Sequence, residues 1–194
     1  KIIPPPDGEQ EDLALIASMD YVASHGVTSV HHMCGHIGSL ERARDNHRLK
    51  TRIYAMFPVS QVQELKEKIK KDGFGDKWLR FGGLKGFMDG SLGSHTAAFF
   101  EPYNDAPADS GLMVEKPEDL FRWIAEGDRE GFQVMIHAIG DKANHTVLDI
   151  YEKVASVNGK RVRRFRIEHA QHLSGDDIAR FSKAGVIASM QPYH

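Results

Sequence analysis

The sequence predicts an α/β fold in which helices cover a parallel β-sheet. Short apolar segments alternate with amphipathic segments along most of the 194 residues. Two of the apolar segments, 134–137 and 165–169, end in histidine and run into loop-like sequence. Alternation of this kind favours repeated βα units. No change of composition divides the chain, and we expect residues 1–194 to form a single segment of one domain.

The predicted elements follow one another regularly. After the turn at Pro4–Gly8, an apolar stripe predicts an amphipathic first helix; its residues are Leu13, Ile16, Ala17 and Val22. Residues 89–116 are rich in Gly, Ser, Pro, Asn and Asp and are predicted to be irregular. The β-rich segments predict strands at 27–32, 51–57, 79–88, 132–137, 164–168 and 186–190. Helices are predicted at 10–24, 38–49, 59–71, 117–130, 140–156 and 174–184.

Two closures of such a sheet remain to be compared. An open doubly wound sheet usually carries a glycine-rich phosphate turn after its first strand. Here the first strand leads into residues 31–35, HHMCG, which do not match that turn. Six strands are too few for a complete (β/α)8 barrel. We therefore predict a large part of such a barrel, with elements missing at one or both ends.

Composition and charge exclude several classes of protein. A net charge of -2 gives no electrostatic reason to expect nucleic-acid or membrane-surface binding. The basic run 160–164 is interpreted as a solvated turn before a strand. Cys34 is the single cysteine, which excludes an internal disulfide and a cysteine-rich zinc motif. The chain begins without methionine or an apolar signal core, so we expect a processed or excised piece and infer no localisation.

Three residues at strand ends could carry chemistry. Because the carboxyl ends of parallel strands open on one face, His137 and His169 are expected to converge there as metal ligands. Lys85 lies in an apolar strand, where an ammonium is costly unless it is paired or deprotonated. A neutral lysine can add carbon dioxide to form a carbamate that bridges two cations. The alternatives are structural histidines and a lysine that reaches solvent.

The segment 89–97, DGSLGSHTA, is a further candidate binding loop. Its glycines permit tight turns, while Asp89, Ser91 and His95 supply donors and acceptors. A long loop at the active face of a sheet is usually functional. The alternative is a generic flexible loop.

Four ordered motifs resemble one branch of the amidohydrolase superfamily, which includes metal-dependent N-acyl and formamide hydrolases and proteins called exoenzyme regulatory proteins. The match extends over residues 27–194. The motifs are LKGFMDGSLGSHTA at 84–97, HAIGDKA at 137–143, RIEHAQ at 166–171 and ASMQP at 188–192.

This resemblance implies a (β/α)8 barrel in which Lys85, as a carboxylated lysine, His137 and His169 bind one or two divalent metal ions, with zinc favoured. The six predicted strands then correspond to strands 2–7 of the barrel. Two parts of the family pattern are absent from these residues, namely a His-x-His pair on a first strand and an eighth-strand aspartate. The family also usually has arginine in place of His95. Residues expected to contact substrate or support the ligands are His32, Asp89, Ser91, His95, Asp141, Gln191 and His194.

Two functional interpretations follow. The favoured one is the central part of a metal-dependent hydrolase that acts on C–N bonds of small amide-type substrates and is inactive as an isolated segment. The acid/base aspartate of the family would lie outside these residues. The alternative is a non-catalytic α/β module that binds a small molecule and has structural histidines. Exposed edge strands would also favour association between copies of the chain.

Overall fold

The computed structural model describes residues 4–33 and 35–193, and within them strands and helices alternate. No described helix combines the length and apolarity needed to cross a membrane. The strands are β1 (Ser29–His32), β2 (Arg52–Pro58), β3 (Leu79–Phe87), β4 (Gln133–Ala138), β5 (Arg166–His169) and β6 (Ile187–Ser189). The helices are α1 (Gly8–Ser24), α2 (Ile37–Asp45), α3 (Val62–Asp72), α4 (Pro117–Arg129), α5 (Asp141–Asn158) and α6 (Gly175–Ala184), and a 3-10 turn at Val59–Gln61 precedes α3.

The described strands form one sheet in the order of the chain, β1-β2-β3-β4-β5-β6. β1 pairs parallel with β2, β4 with β5, and β5 with β6. Helices connect most successive strands, whereas an irregular segment of nearly thirty residues separates β3 from α4. The predicted α/β fold, six parallel strands of the kind found in a partial (β/α)8 barrel, is confirmed.

The chain divides into two compact units, and residues 1–57 and 63–83 form the first. Its core includes the buried side chains of Leu40, Ile53 and Leu65. Each of these residues comes from a different element, so burial of apolar surface holds α2, β2 and α3 together.

The apolar stripe predicted for α1 is wrong at Leu13, whose relative exposure is 62%, and at Ala17, which is also exposed. Met19 is instead the buried residue of this helix. Arg42 of α2 donates hydrogen bonds to both carboxylate oxygens of Asp12, from Nη2 to Oδ1 at 2.7 Å and from Nε to Oδ2 at 3.0 Å. Because consecutive helical residues point about 100° apart, the contact through Asp12 turns Leu13 toward solvent.

Residues 58–62 and 84–194 form the second unit. Its central helix, α5, buries a stripe that includes Ala143, Val147 and Tyr151 at the spacing of an amphipathic helix. The hydroxyl of Tyr151 donates to the carbonyl oxygen of Arg166 in β5, at 2.8 Å. Packing and this hydrogen bond together fix α5 against the strand that ends at His169.

The basic run 160–164 is mostly exposed, as the sequence predicted, but two of its arginines pair with a buried carboxylate. Asp128 at the end of α4 is 2% exposed and lies between two arginines of this run. Its carboxylate is 2.6 Å from Arg161 Nη2 and 3.1 Å from Arg163 Nε. A buried charge is tolerated when it is paired and hydrogen-bonded. Asp128 meets this condition, and its ion pairs hold the segment 160–164 against the end of α4.

Candidate metal centre

His137 and His169 lie at the carboxyl ends of two neighbouring strands and contact each other. In the β4–β5 register, His137 is opposite Glu168, and Ala138 is opposite His169. Strict alternation along the strands would therefore place the two histidines on opposite faces. The backbone of His169 instead has a φ of 72°, which breaks the alternation. The imidazole rings meet edge to face with their centroids 4.6 Å apart.

The positive φ of His169 is informative because non-glycine residues rarely adopt it. Ala170 follows with a φ of 44°, so two successive residues are left-handed. Such backbone costs on the order of 1–3 kcal/mol for each residue and is concentrated at functional sites. The surrounding structure maintains it here, where it directs one imidazole toward another.

Hydrogen bonds orient both imidazole rings. His137 Nε2 lies 2.7 Å from the carbonyl oxygen of Gly90, which can only accept, so Nε2 carries the proton. His169 Nδ1 lies 2.9 Å from Gln191 Oε1, an acceptor in the same sense. A neutral imidazole has one N–H and one lone pair. The lone pairs are thereby assigned to Nδ1 of His137 and Nε2 of His169, as a metal site would require.

Lys85 is 4% exposed, and its ammonium belongs to the same neighbourhood. Its Nζ donates to the carbonyl oxygen of Gly86 at 2.7 Å and lies 3.6 Å from the centroid of the Phe87 ring. The Phe87 ring in turn lies 5.4 Å from the His137 ring. Burial, together with the positive charge of Lys85, lowers the pKa of His169 below its usual value, while the hydrogen bond to Gln191 opposes this shift.

A metal site of the ordinary kind needs at least three donors. Across residues 4–33 and 35–193, no three His, Cys, Asp or Glu side chains group in a way that could hold a metal ion. Two imidazoles with lone pairs and a buried lysine are therefore the donor set that the structure offers. Conversion of Lys85 to a carbamate would supply the third donor as a carboxylate oxygen.

Asp89 is fully buried and organises the loops around His137. Its carboxylate accepts hydrogen bonds from the backbone N–H groups of Ala98, Ile139 and Gly140, at 2.9, 3.0 and 2.8 Å. Asp89 Oδ1 also lies 3.4 Å from His137 Nε2. The residue thus ties the loop after β3 to the loop after β4, and this role explains a carboxylate at a site that water does not reach.

The position of Gly140 requires glycine for a steric reason. A Cβ atom at this position would lie 2.0 Å from the carbonyl oxygen of Ala98, a distance that no backbone contact tolerates. The close approach lets Ala143 donate its backbone N–H to the same oxygen, at 3.3 Å. The start of α5 is thereby fixed against the long loop.

The loop 90–97 is closed by its own hydrogen bonds. Ser91 Oγ lies 2.9 Å from Ser94 Oγ, and the backbone N–H of Ser91 donates to Thr96 Oγ1 at 2.9 Å. His95 stacks on Tyr103 with ring centroids 4.4 Å apart, and its Nε2 lies 3.2 Å from Asp105 Oδ2. The loop is therefore a structured one, in which Ser91 has partners within the loop and His95 has partners in the segment that follows it.

The other residues predicted to lie at the site have different surroundings. Asp141 accepts from the backbone N–H groups of Phe100 and Lys142, at 3.0 and 2.7 Å, where it stabilises the start of α5. His32 belongs to the first unit, and its Nε2 lies 3.0 Å from the carbonyl oxygen of Gly35. His194 lies outside the described residues.

Sequence reasoning missed Asn144, a buried residue of α5 that contacts the loops after β4 and β5. The available signal was its position, because it is a polar residue beside Ala143 and three residues before Val147 on the buried side of the helix. It also missed the buried ion pair between Arg166 and Glu168 within β5, which alternation places on one face. The available signal was the spacing, because two residues of opposite charge that lie two positions apart in a strand share one face.

Curated relatives resemble the chain over most of its length. Protein LONG AFTER FAR-RED 3 of Arabidopsis thaliana is 46% identical over 153 residues, which are 78% of this chain and 26% of the relative. The protein YtcJ of Bacillus subtilis (strain 168) is 31% identical over 201 residues, which cover 100% of this chain and 37% of YtcJ. The chain thus spans well under half the length of both relatives.

Two solved structures share the fold over nearly the whole chain. An uncharacterized metal-dependent hydrolase from Pyrococcus furiosus superposes with a TM-score of 0.85 at 29% identity, over 97% of this chain and 39% of that one. An uncharacterized metal-dependent hydrolase from Pyrococcus horikoshii OT3 gives a TM-score of 0.83 at 29% identity, over 97% and 38%. The model of the amidohydrolase family matches residues 1–194. The chain therefore belongs to the amidohydrolase family.

Proposed function

We propose that the protein acts as part of a metal-dependent hydrolase of C–N bonds in small amide-type molecules, with Lys85, His137 and His169 as metal ligands. The observation that carries the proposal is the edge-to-face contact of the two imidazoles, each with its N–H directed to a protein acceptor. Family membership and the two Pyrococcus hydrolases support the same reaction class.

The donor set fits a divalent ion such as zinc, which binds imidazole nitrogen and carboxylate oxygen. His137 would bind through Nδ1, His169 through Nε2, and Lys85 through the carboxylate of a carbamate formed with carbon dioxide. A bound ion of this kind lowers the pKa of a coordinated water toward neutrality and polarises a carbonyl group.

The chain's own residues prepare the site. Gly90 and Gln191 hold the imidazole tautomers, and Asp89 holds the loop that carries Gly90. Side-chain groups at the loop face, namely those of Ser91 and His95, would contact the substrate, and His32, Asp141 and His194 are weaker candidates for such contacts. An N-acyl amino acid, a substituted formamide and a cyclic amide all have the required bond.

These 194 residues contain neither a His-x-His pair nor an assigned acid/base residue. We therefore expect them to bind one metal ion and to show no turnover by themselves.

The edge strand β6 also leaves Ile187 partly exposed beside the exposed Met190, and we propose that copies of the chain associate through this edge. The mass of the chain in solution, measured at several concentrations, tests this.

A second candidate is a non-catalytic α/β module that binds a small molecule. It is favoured by one observation, since His137, His169 and Lys85 each already have a hydrogen-bond partner in the protein. The two candidates differ in what they predict for divalent ions, because a module of this kind would bind none at the histidine pair.

Metal titration tests the proposal. The wild-type chain, titrated with Co²⁺ in bicarbonate buffer, should bind one ion, with an absorption spectrum typical of nitrogen ligation. His137→Asn should lose this binding, while His47→Asn, a change in an exposed turn where asparagine suits the φ of 54°, should retain it. Lys85→Ala should bind weakly and recover in part with added propionate. Absence of Co²⁺ binding by the wild-type chain would favour the non-catalytic module.

A further inference from the structure

We propose that Asn144 is a positioning residue for this centre, and that its side-chain amide holds the loops behind His137 and His169 at the correct separation. The inference rests on the proposed function. Asn144 touches neither imidazole and acts on the backbone segments from which the rings project.

The amide of Asn144 reaches three carbonyl groups at once. Its Nδ2 lies 3.2 Å from the oxygen of Ala138, 2.9 Å from that of Gly140 and 3.1 Å from that of His172. The residue is fully buried. Since Nδ2 carries two hydrogens, at least one of them is shared between two of the three acceptors.

One of the three carbonyls, that of Ala138, ends strand β4, and the other two belong to the loops that follow the histidine strands. Ala138 comes directly after His137, and His172 lies three residues after His169. The loops also bond to each other, since Ala170 N donates to Ala138 O at 3.1 Å and His172 N donates to Ile139 O at 2.9 Å. Asn144 adds a link from the buried helix α5 to both loops. The buried helix α5 therefore fixes the distance between the two loops.

The orientation of the amide shows that its donors are what the fold requires. No donor among residues 4–33 and 35–193 reaches Asn144 Oδ1, although this oxygen is buried. Reversing the amide would place Oδ1 against three carbonyl oxygens, which is worse. An apolar residue would avoid an unpaired buried oxygen altogether. The three hydrogen bonds of Nδ2 offset the unpaired oxygen, so the donors of this side chain are what the surrounding loops use.

The same helix supplies a matched control at its other end. Asn158 Nδ2 donates to the carbonyl oxygen of Ala125 at 2.9 Å and to Asp128 Oδ2 at 2.8 Å. Both asparagines therefore anchor α5 through Nδ2. Asn158 does so at the amino ends of the strands, far along the helix from the histidines.

The test compares Asn144→Leu with Asn158→Leu, both titrated with Co²⁺ where circular dichroism shows each variant to be folded. Loss of a group that orients metal ligands typically weakens metal binding about 10–100-fold. We expect this loss for Asn144→Leu and a change of less than about twofold for Asn158→Leu. Equal affinities for wild type and folded Asn144→Leu would overturn the inference. If Asn144→Leu does not fold, Asn144→Ser, which keeps one donor, should fold with an intermediate loss of affinity, and unchanged affinity in this variant also overturns it.

A second readout does not depend on metal. The ¹⁵N and ¹H resonances of the His137 and His169 rings in the metal-free chain should shift in Asn144→Leu and stay in place in Asn158→Leu. If the wild-type chain binds no Co²⁺, the proposed function fails. The ring resonances still test the positioning role in that case, and identical spectra for wild type and Asn144→Leu would refute it.

Discussion

The two ends of the strands in the second unit use polar residues in opposite ways. At the amino ends, the buried charge of Asp128 is fully compensated by Arg161, Arg163 and Asn158. At the carboxyl ends, His137 and His169 each use one ring nitrogen in a hydrogen bond and keep a lone pair on the second nitrogen. In barrel folds, residues at the amino ends of the strands typically serve stability, and residues at the carboxyl ends typically serve catalysis. The comparison teaches that a buried polar group serves structure where its bonding is saturated, and chemistry where it is not.

The largest expected effect is on the amino-end cluster. Asp128→Ala leaves Arg163, whose side chain is 8% exposed, without its counter-charge. Breaking a buried pair by removing one partner costs about 3–5 kcal/mol in the free energy of unfolding. Urea denaturation should show this loss, and Co²⁺ affinity of the folded variant should be unchanged. Asp45→Ala, which removes an exposed partner of Arg44, should cost less than about 1 kcal/mol. Equal losses for the two variants would contradict the account.

Asp89→Asn should have an intermediate effect. The carboxylate accepts three backbone N–H groups, and an amide would place its own NH2 against at least one of them. An unsatisfied buried donor costs about 1–3 kcal/mol. We expect urea denaturation to show a loss in that range and Co²⁺ titration to show weaker binding, because the same loops carry His137. The exposed Asp105→Asn serves as the control. A stable variant with weakened metal binding would mean that Asp89 acts only on the site.

Titration of His169 should change the free energy of unfolding by less than the substitutions above, but with a characteristic dependence on pH. Burial, together with the positive charge of Lys85, places its folded-state pKa below the usual 6.5. The ring therefore contributes stability that is fully present above about pH 6.5 and is lost as the pH falls through the lower folded-state pKa. The Cε1–H resonance should titrate below 6.5 in the native chain and near 6.5 in urea. A native midpoint at or above 6.5 would contradict the environment described for this ring.

The fold was largely predictable from sequence, because β-rich segments and amphipathic helices alternate strongly enough to locate all six strands. Leu13 was assigned to the wrong face since the partner of α1 makes its contact through Asp12, which periodicity does not reveal. Likewise, the sequence did not reveal the ion pairs of the run 160–164, because their counter-charge, Asp128, lies more than thirty residues away.

The candidate site was predictable in its residue types and strand ends, but its geometry was not. Alternation alone would separate His137 from His169, and a left-handed φ at a histidine leaves no mark in the sequence. The bonds of Asn144 depend on where three carbonyl groups come to lie, and backbone positions of that kind follow from tertiary structure alone.

The central claim is that His137 and His169, at the carboxyl ends of β4 and β5, bind metal and contribute little to stability. The most direct measurement is the metal content of His169→Asn, recorded beside its thermal melting curve. Because His169 lies at a strand end and leaves no core cavity when shortened, we predict loss of the bound ion with a melting temperature close to that of the metal-free wild-type chain. Full metal occupancy with a lowered melting temperature would show that His169 is a structural histidine and would contradict the account.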